Sequence, residues 1–253
     1  MANNPEPMTS LPSPNHTIWL RPHNAAFVYL PKVACTSWKL HLAAALNIQT
    51  KEELSYKNLH NPSALPLPYA AHLTPKESDL FKSKQSEGSF KYFSVLREPK
   101  ERAASAYLDK ILFHKNPQSF FSLEIIPAIK SHARIATDDK PSFEQFLLWI
   151  LESEHQHVSN DHWKPMCDIL QLKPEEDNLK QWTLWPMQEM AKAVSTINQY
   201  LGVDLTLPGR EALGPRPDRK SKSALNELLN LSSEGLLQEI YSADIALFKL
   251  IKS

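Results

Sequence analysis

The sequence predicts an α/β protein with a parallel sheet flanked by helices, and two strand–loop–helix units carry that prediction. In the first, residues 25–30 (AAFVYL) form a short apolar run of strand formers that Pro31 ends, and a helical segment opens at Thr36. In the second, residues 91–96 (KYFSVL) run into Arg97-Glu98-Pro99 before another helical segment. In such a sheet ligands lie at the carboxyl ends of the strands, and both loops that follow these strands carry a cation.

The chain's 253 residues suffice for one full core, so a single domain is expected over residues 16–253. Residues 1–15 hold four prolines and little apolar content, and read as a flexible leader. From Thr36, a capping residue precedes good helix formers, with Trp38, Leu42, Ala45 and Leu46 at helical spacing. Pro99 suits the first turn of the next helix, whose buried stripe is Ala104, Tyr107, Leu108, Ile111 and Leu112. Further helices are expected at 142–154, with Phe143, Phe146, Leu147 and Ile150 in phase, at 186–201 and at 232–251. Thr183-Leu184-Trp185 reads as a short strand, and the Pro- and charge-rich stretch 207–222 as a loop bearing Arg216, Arg219, Lys220 and Lys222.

Lys+Arg and Asp+Glu both number 28, so no global charge calls for nucleic acid or an anionic membrane surface, and any bound anion needs a local cluster. No segment is apolar over the ~18 residues of a membrane span, and the polar, Pro-rich start does not resemble a signal peptide. Two cysteines, Cys35 and Cys167, are too few for a disulfide framework. The expectation is a soluble, cytoplasmic protein.

The chemistry concentrates at the two loops. Tyr29-Leu-Pro-Lys-Val-Ala-Cys-Thr-Ser-Trp38 sets Lys32 between a strand and a helix start, where free amides and the helix dipole attract an anion. The loop has no glycine and its lysine precedes the hydroxyl residues by four positions, so it is not the nucleotide-triphosphate loop GxxxxGK[ST]. At the second strand, Arg97 and Ser105 could hold a terminal phosphate with an arginine fork and a hydroxyl. Each feature has a plain alternative: Lys32 as a surface lysine beside a turn, Arg97 paired with Glu101, Ser105 as an ordinary helix residue.

Taken together, PKVACTSWK at 31–39 and FSVLREPKERAASAYLDK at 93–110 resemble the 5′-phosphosulfate loop and the 3′-phosphate motif of carbohydrate sulfotransferases. These enzymes use 3′-phosphoadenosine-5′-phosphosulfate (PAPS), and the likeness is greatest to the branch with the HNK-1 and chondroitin/dermatan enzymes. Phe143-Glu-Gln-Phe146, Asp161-His-Trp-Lys-Pro165 and residues 240–248 extend it more weakly. The resemblance implies a sulfotransferase fold related to nucleotide kinases and transfer of sulfonate from PAPS to a hydroxyl, with a carbohydrate acceptor. It implies no metal. Lys32 would contact the oxygen bridging phosphate and sulfonate, and the loop from Val33 through Ala34, Cys35, Thr36, Ser37 and Trp38 would bracket the 5′-phosphate. Arg97 and Ser105 would hold the 3′-phosphate, and Arg219 would lie near the nucleotide.

In-line transfer needs a base for the acceptor proton. His72, between the two motifs, and His162, in the Asp161-His-Trp element, are the candidates, with His72 slightly ahead; either could instead be structural. Three other readings compete: a thiol enzyme using Cys35 beside Lys32 at a helix start, a metal site drawn from His155, His157, His162 and Cys167, and a non-catalytic nucleotide- or anion-binding protein of the same fold. The stretches 47–90 and 111–140, with Phe113, Phe120, Phe121, Lys115 and Arg134, are expected to shape the acceptor site.

Overall fold

The structure, a computed structural model, describes residues 11–21, 23–50, 53–55, 58–136, 138–153, 160–174, 177–209, 227–229 and 231–252. The chain divides into two compact units, one made of Met1–Leu96 with Cys167–Pro217 and the other of Arg97–Met166 with Asp218–Ile251.

The first unit holds a four-stranded sheet in the order β1 (Thr17–Trp19), β2 (Ala25–Val28), β3 (Lys91–Leu96), β4 (Trp182–Pro186). β2, β3 and β4 are parallel, with Phe27 beside Phe93 and Ser94 beside Leu184. β3 is buried from Tyr92 through Leu96, which is why it reads as one apolar run with no polar alternation. The expected strand at 25–30 ends at Val28. The edge strand β1, absent from the sequence expectations, runs antiparallel to β2, as a short link between Trp19 and Ala25 requires. Ser13, at the end of the segment expected to be a leader, donates its amide to the Ile169 carbonyl, and Tyr29 Oη donates to the Asn15 carbonyl.

Helix α1 (Cys35–Ala45) follows β2, and its Trp38 ring lies 4.5 Å from Phe27, fixing the helix to the sheet. Helix α2 (Pro75–Gln85), also not anticipated, carries a full capping box between Thr74 and Glu77 with Pro75 at its first position. After β4, helix α7 (Met190–Leu201) ends at Gly202, whose φ of 69° supplies the left-handed cap.

The second unit is helical. Its elements are α3 (Pro99–Tyr107), α4 (Ile126–Ala133), α5 (Phe143–Glu152), α8 (Leu231–Ile240) and α9 (Ser242–Lys252), and the short α6 (Met166–Leu170) leads out of it. Glu98 caps α3 by accepting the Glu101 amide, and α3 continues as a π-helical turn at Leu108–Leu112. The expected stripe Ala104, Tyr107, Leu108 and Ile111 is buried, packed with Phe143, Phe146, Leu147, Trp149 and Trp163. The single helix expected at 232–251 is broken at Tyr241, whose hydroxyl donates to the Trp163 carbonyl. No helix among the described residues is long and apolar enough to cross a membrane.

The segment 161–166 is held by buried polar groups rather than by helix packing alone. Arg102 on α3 is 1% exposed and donates through Nη1 to the Lys164 carbonyl (2.7 Å) and through Nη2 to the Asp161 carbonyl (2.9 Å). Asp244, with no exposed surface, accepts the Met166 amide at 2.7 Å. Burial pushes the arginine pKa down, and the Asp244 charge opposes that push most. Arg102→Met strips both carbonyls of their donor and leaves Asp244 without this cation. It should destabilise the chain by about 3–5 kcal/mol in urea unfolding, whereas a surface change such as Lys100→Met should stay within about 1 kcal/mol.

Candidate functional site

The turn between β2 and α1 is tight and contains no glycine, yet Lys32 and Ala34 have φ values of 71° and 50°. Left-handed backbone at two ordinary residues is strained by roughly 1–3 kcal/mol each, so the surroundings must hold it. Val33 is fully buried between them and its amide donates to the Leu30 carbonyl at 3.2 Å. Lys32 itself is half-buried.

Ala34 occupies the cap position of α1 and offers no side-chain oxygen. The Trp38 amide takes the Ala34 carbonyl at 3.1 Å as the first bond of the helix. The amides of Cys35, Thr36 and Ser37 precede any intrahelical acceptor, and among the described residues none of them has a partner. Three open N–H donors, the positive end of an eleven-residue helix and the lysine on the turn before it can together cradle an anion within the first unit. Val33 and Trp38 bury their side chains beneath the loop and bond their amides to the Leu30 and Ala34 carbonyls, while among the described residues the Trp38 indole Nε1 has no partner.

One turn into α1 lies a group that the motif reading passed over. Lys39 is only 2% exposed, its Nζ sits 4.1 Å from the centre of the Tyr29 ring and 5.4 Å from that of Tyr69, and it donates to His60 Nδ1 at 3.1 Å. Desolvation lowers its pKa from the ordinary 10.5 to about 8, with the Cys35 charge acting the other way. No local signal in WKLHL separates this lysine from a solvated one; its burial follows from the phase of α1 against the sheet.

Cys35 is half-buried and opens α1, and among the described residues no histidine bonds its thiol. His72 ends a 3₁₀ turn at Ala70–His72, is exposed, and stands edge-on to Tyr69 with ring centres 6.0 Å apart.

In the second unit, Arg97 donates from Nε to Glu101 at 3.3 Å, so the plain pairing is realised while the arginine stays about one-fifth exposed. Ser105 lies two turns on in α3, partly exposed, and its hydroxyl makes no hydrogen bond among the described residues. His162 is half-buried, with its ring edge-on to Phe121 at 5.5 Å. Its backbone amide and its Nδ1 both address Asn160 Oδ1, at 3.1 and 2.8 Å. An amide N–H can only donate, so that atom is the carboxamide oxygen, and in the neutral ring Nδ1 carries the proton and Nε2 the lone pair. Neither Asn160 nor Arg102, which together fix this histidine's loop, stood out in the sequence.

Around His162 the surface is aromatic and basic. Lys110 Nζ lies 5.0 Å from the Phe121 ring centre, the His114 ring 5.5 Å from it, and Phe120 5.8 Å. Phe113 and Phe120 are 44% and 38% exposed, unusually open for large apolar rings. Lys115 and Arg134 are exposed as well. Arg219, with Arg216, Lys220 and Lys222, lies outside the described residues, as do His155 and His157. Among the described residues no group of His, Cys, Asp and Glu is placed to hold a metal.

Comparison with known proteins bears on both units. Mouse (Mus musculus) carbohydrate sulfotransferase 14 is 29% identical over 146 residues, covering 57% of this chain and 36% of that protein. Rat (Rattus norvegicus) carbohydrate sulfotransferase 11 is 27% identical over 170 residues, 61% of this chain and 45% of that protein. Zebrafish (Danio rerio) carbohydrate sulfotransferase 10 is 31% identical over 162 residues, 58% of this chain and 42% of that protein. The chain thus spans less than half the length of these curated relatives. No solved structure matches it significantly. The family model described as "Sulfotransferase family" matches residues 15–250, which include the Lys32 turn, β3, Arg97 and the His162 loop, and by that match the chain belongs to the Sulfotransferase family.

Proposed function

We propose that this protein transfers the sulfonate of PAPS to a hydroxyl of a carbohydrate, residues 16–253 acting as one catalytic domain. The observation that carries the reading is the uncapped start of α1, with three unbonded amides behind the strained Lys32 turn. Open amides at a helix start are met by water or by an anion, and the 5′-phosphate of PAPS is the anion that the family membership suggests. Relatives named as carbohydrate sulfotransferases support the acceptor class.

In this reading the cradle binds the 5′-phosphate through the amides of Cys35, Thr36 and Ser37. Lys32 neutralises the charge that develops on the bridging oxygen as its bond to sulfur breaks. The acceptor oxygen attacks sulfur in line, 3′-phosphoadenosine-5′-phosphate (PAP) leaves with the bond's electron pair, and His162 Nε2 takes the acceptor proton. Arg97 and Ser105 serve the 3′-phosphate, for which Arg97 exchanges its bond to Glu101 for a phosphate pair. His162 now leads over His72, because Asn160 fixes its tautomer with the lone pair on Nε2, whereas His72 makes no side-chain hydrogen bond among the described residues. The exposed faces of Phe113 and Phe120 suit the C–H face of a sugar ring. Neither Cys35 nor Cys167 forms a disulfide, in keeping with the cytoplasmic location we propose, which cell fractionation tests.

Calorimetry should find PAP bound at micromolar Kd or better and clearly preferred to ATP, which lacks the 3′-phosphate; equal affinity for the two would refute the donor assignment. Lys32→Ala should lower kcat more than it weakens PAP binding. Arg97→Ala should instead weaken PAP binding by roughly 2–3 kcal/mol, and Cys35→Ser should keep near-normal activity.

Turnover by His162→Ala should drop ~10²–10⁴-fold with PAP affinity intact, while His72→Ala should remain within about tenfold of wild type. The opposite ranking would hand the role of base to His72. Phe120→Ala should raise the acceptor KM several-fold and leave PAP affinity unchanged, since stacking on one ring contributes about 1 kcal/mol.

A further inference from the structure

Lys39 is an ammonium placed where an apolar side chain would sit at no electrostatic cost. Its methylenes and Nζ lie inside the first unit with 2% exposure, and its surroundings are Tyr29 at the end of β2, Tyr69 before the 3₁₀ turn, His60 in the 58–60 turn, and Cys35 one turn earlier on its own helix. Among the described residues no carboxylate faces it. Two aromatic faces and one imidazole nitrogen do the work that a counter-ion usually does.

The geometry gives that cation a mechanical role. Tyr29 is the residue two places before Pro31, and its backbone amide and its hydroxyl are both bonded, to the His16 and Asn15 carbonyls, so its ring is fixed at both ends. Lys39 draws that ring onto α1, the same helix whose first amides form the anion cradle. The strained turn of Lys32 and Ala34 is therefore bounded on one side by a residue that Lys39 holds and on the other by Lys39's own helix. We propose that Lys39 is a positioning residue whose ammonium clamps Tyr29 to α1 and thereby keeps the Lys32 turn and the cradle amides in the geometry that receives the donor's 5′-phosphate. The proposal rests on the sulfotransferase reading for the identity of the anion, but not for the clamp itself.

Two consequences follow from the chemistry of a buried lysine. With a pKa of about 8 in the fold against 10.5 in the unfolded chain, the unfolded state binds more protons between these values. Folding stability is therefore highest above pH 10.5 and is lost progressively as pH falls to 8, below which this contribution is flat. The clamp behaves in the opposite sense. Lys39 is cationic below pH 8 and neutral above it, so the attraction to Tyr29 and Tyr69 fades as pH rises through 8, while Tyr69 stays protonated because burial raises its phenol far above its usual range. A purely structural lysine would make binding follow stability; a clamp makes the two run apart.

The test uses the full chain and its Lys39→Arg and Lys39→Met variants, with PAP affinity measured by calorimetry from pH 6.5 to 9.5. Wild type should lose roughly tenfold in affinity as pH rises through about 8. Lys39→Arg, cationic throughout, should hold its affinity flat across the range, and Lys39→Met should bind roughly tenfold more weakly than wild type at pH 7 with no pH dependence. Urea midpoints should rise between pH 8 and 10.5 for wild type and not for Lys39→Met. Wild-type affinity that does not change with pH, or Lys39→Met that binds as wild type does at pH 7, overturns the proposal. Should Lys39→Met not fold, the comparison of wild type with Lys39→Arg decides alone. Absence of PAP binding in every form at every pH would refute the donor assignment instead, and the clamp is then read from amide resonances of Val33 and Ala34. These should titrate near pH 8 in wild type and stay still in Lys39→Arg; resonances that stay still in both overturn it.

Discussion

The turn at Lys32 and Ala34 is the constraint on which the first unit depends. Both residues hold positive φ without the freedom of glycine, so the local backbone favours relaxation and only the packing beneath prevents it. That packing is specific: Val33 buried under the turn, Trp38 against Phe27, and Lys39 against Tyr29. A glycine-rich loop reaches similar conformations at little steric cost but at a larger cost in chain entropy. A glycine-free loop transfers the cost to its neighbours and gains rigidity.

The second unit solves a comparable problem with buried polar groups. The 161–166 segment has little regular structure, yet its carbonyls at Asp161, Trp163 and Lys164 and its amide at Met166 are met by Arg102, Tyr241 and Asp244. Such an arrangement is costly to assemble, because a guanidinium and a carboxylate both lose water. What it yields is a defined path for a loop that carries a histidine, and Asn160 completes the definition by setting which ring nitrogen bears the proton.

Much of this was legible beforehand, and the reasons differ by element. β3 and α3 could be read because a six-residue apolar run, Pro99 and an in-phase stripe are local signals. The Lys32 turn could be read because Pro31 stops the strand and Thr36 and Ser37 mark a helix start one residue from the observed one. β1 was missed because three residues between prolines leave no periodicity to count, and α2 because its single buried side chain, Phe81, gives it no apolar stripe. The break at Tyr241 was invisible since the hydrophobic phase continues across it, and i→i−4 backbone bonds still lead into and out of that residue.

The site shows the sharper limit. Sequence motifs point to residues of the type that a ligand's chemistry demands, and Lys32, Thr36, Ser37, Arg97 and Ser105 are candidates of that kind. Motifs do not name residues that act by being buried, because burial depends on helix phase and on partners distant in the chain. Lys39 lies 21 residues from His60 and Arg102 lies 62 from Lys164, separations over which no local pattern operates. The choice between His72 and His162 turned on a similar point: both sit near stiffening prolines, and what separates them is a carboxamide two residues away that accepts one ring proton. A residue's candidacy for proton transfer is thus decided less by the motif around it than by whether a neighbour commits its tautomer.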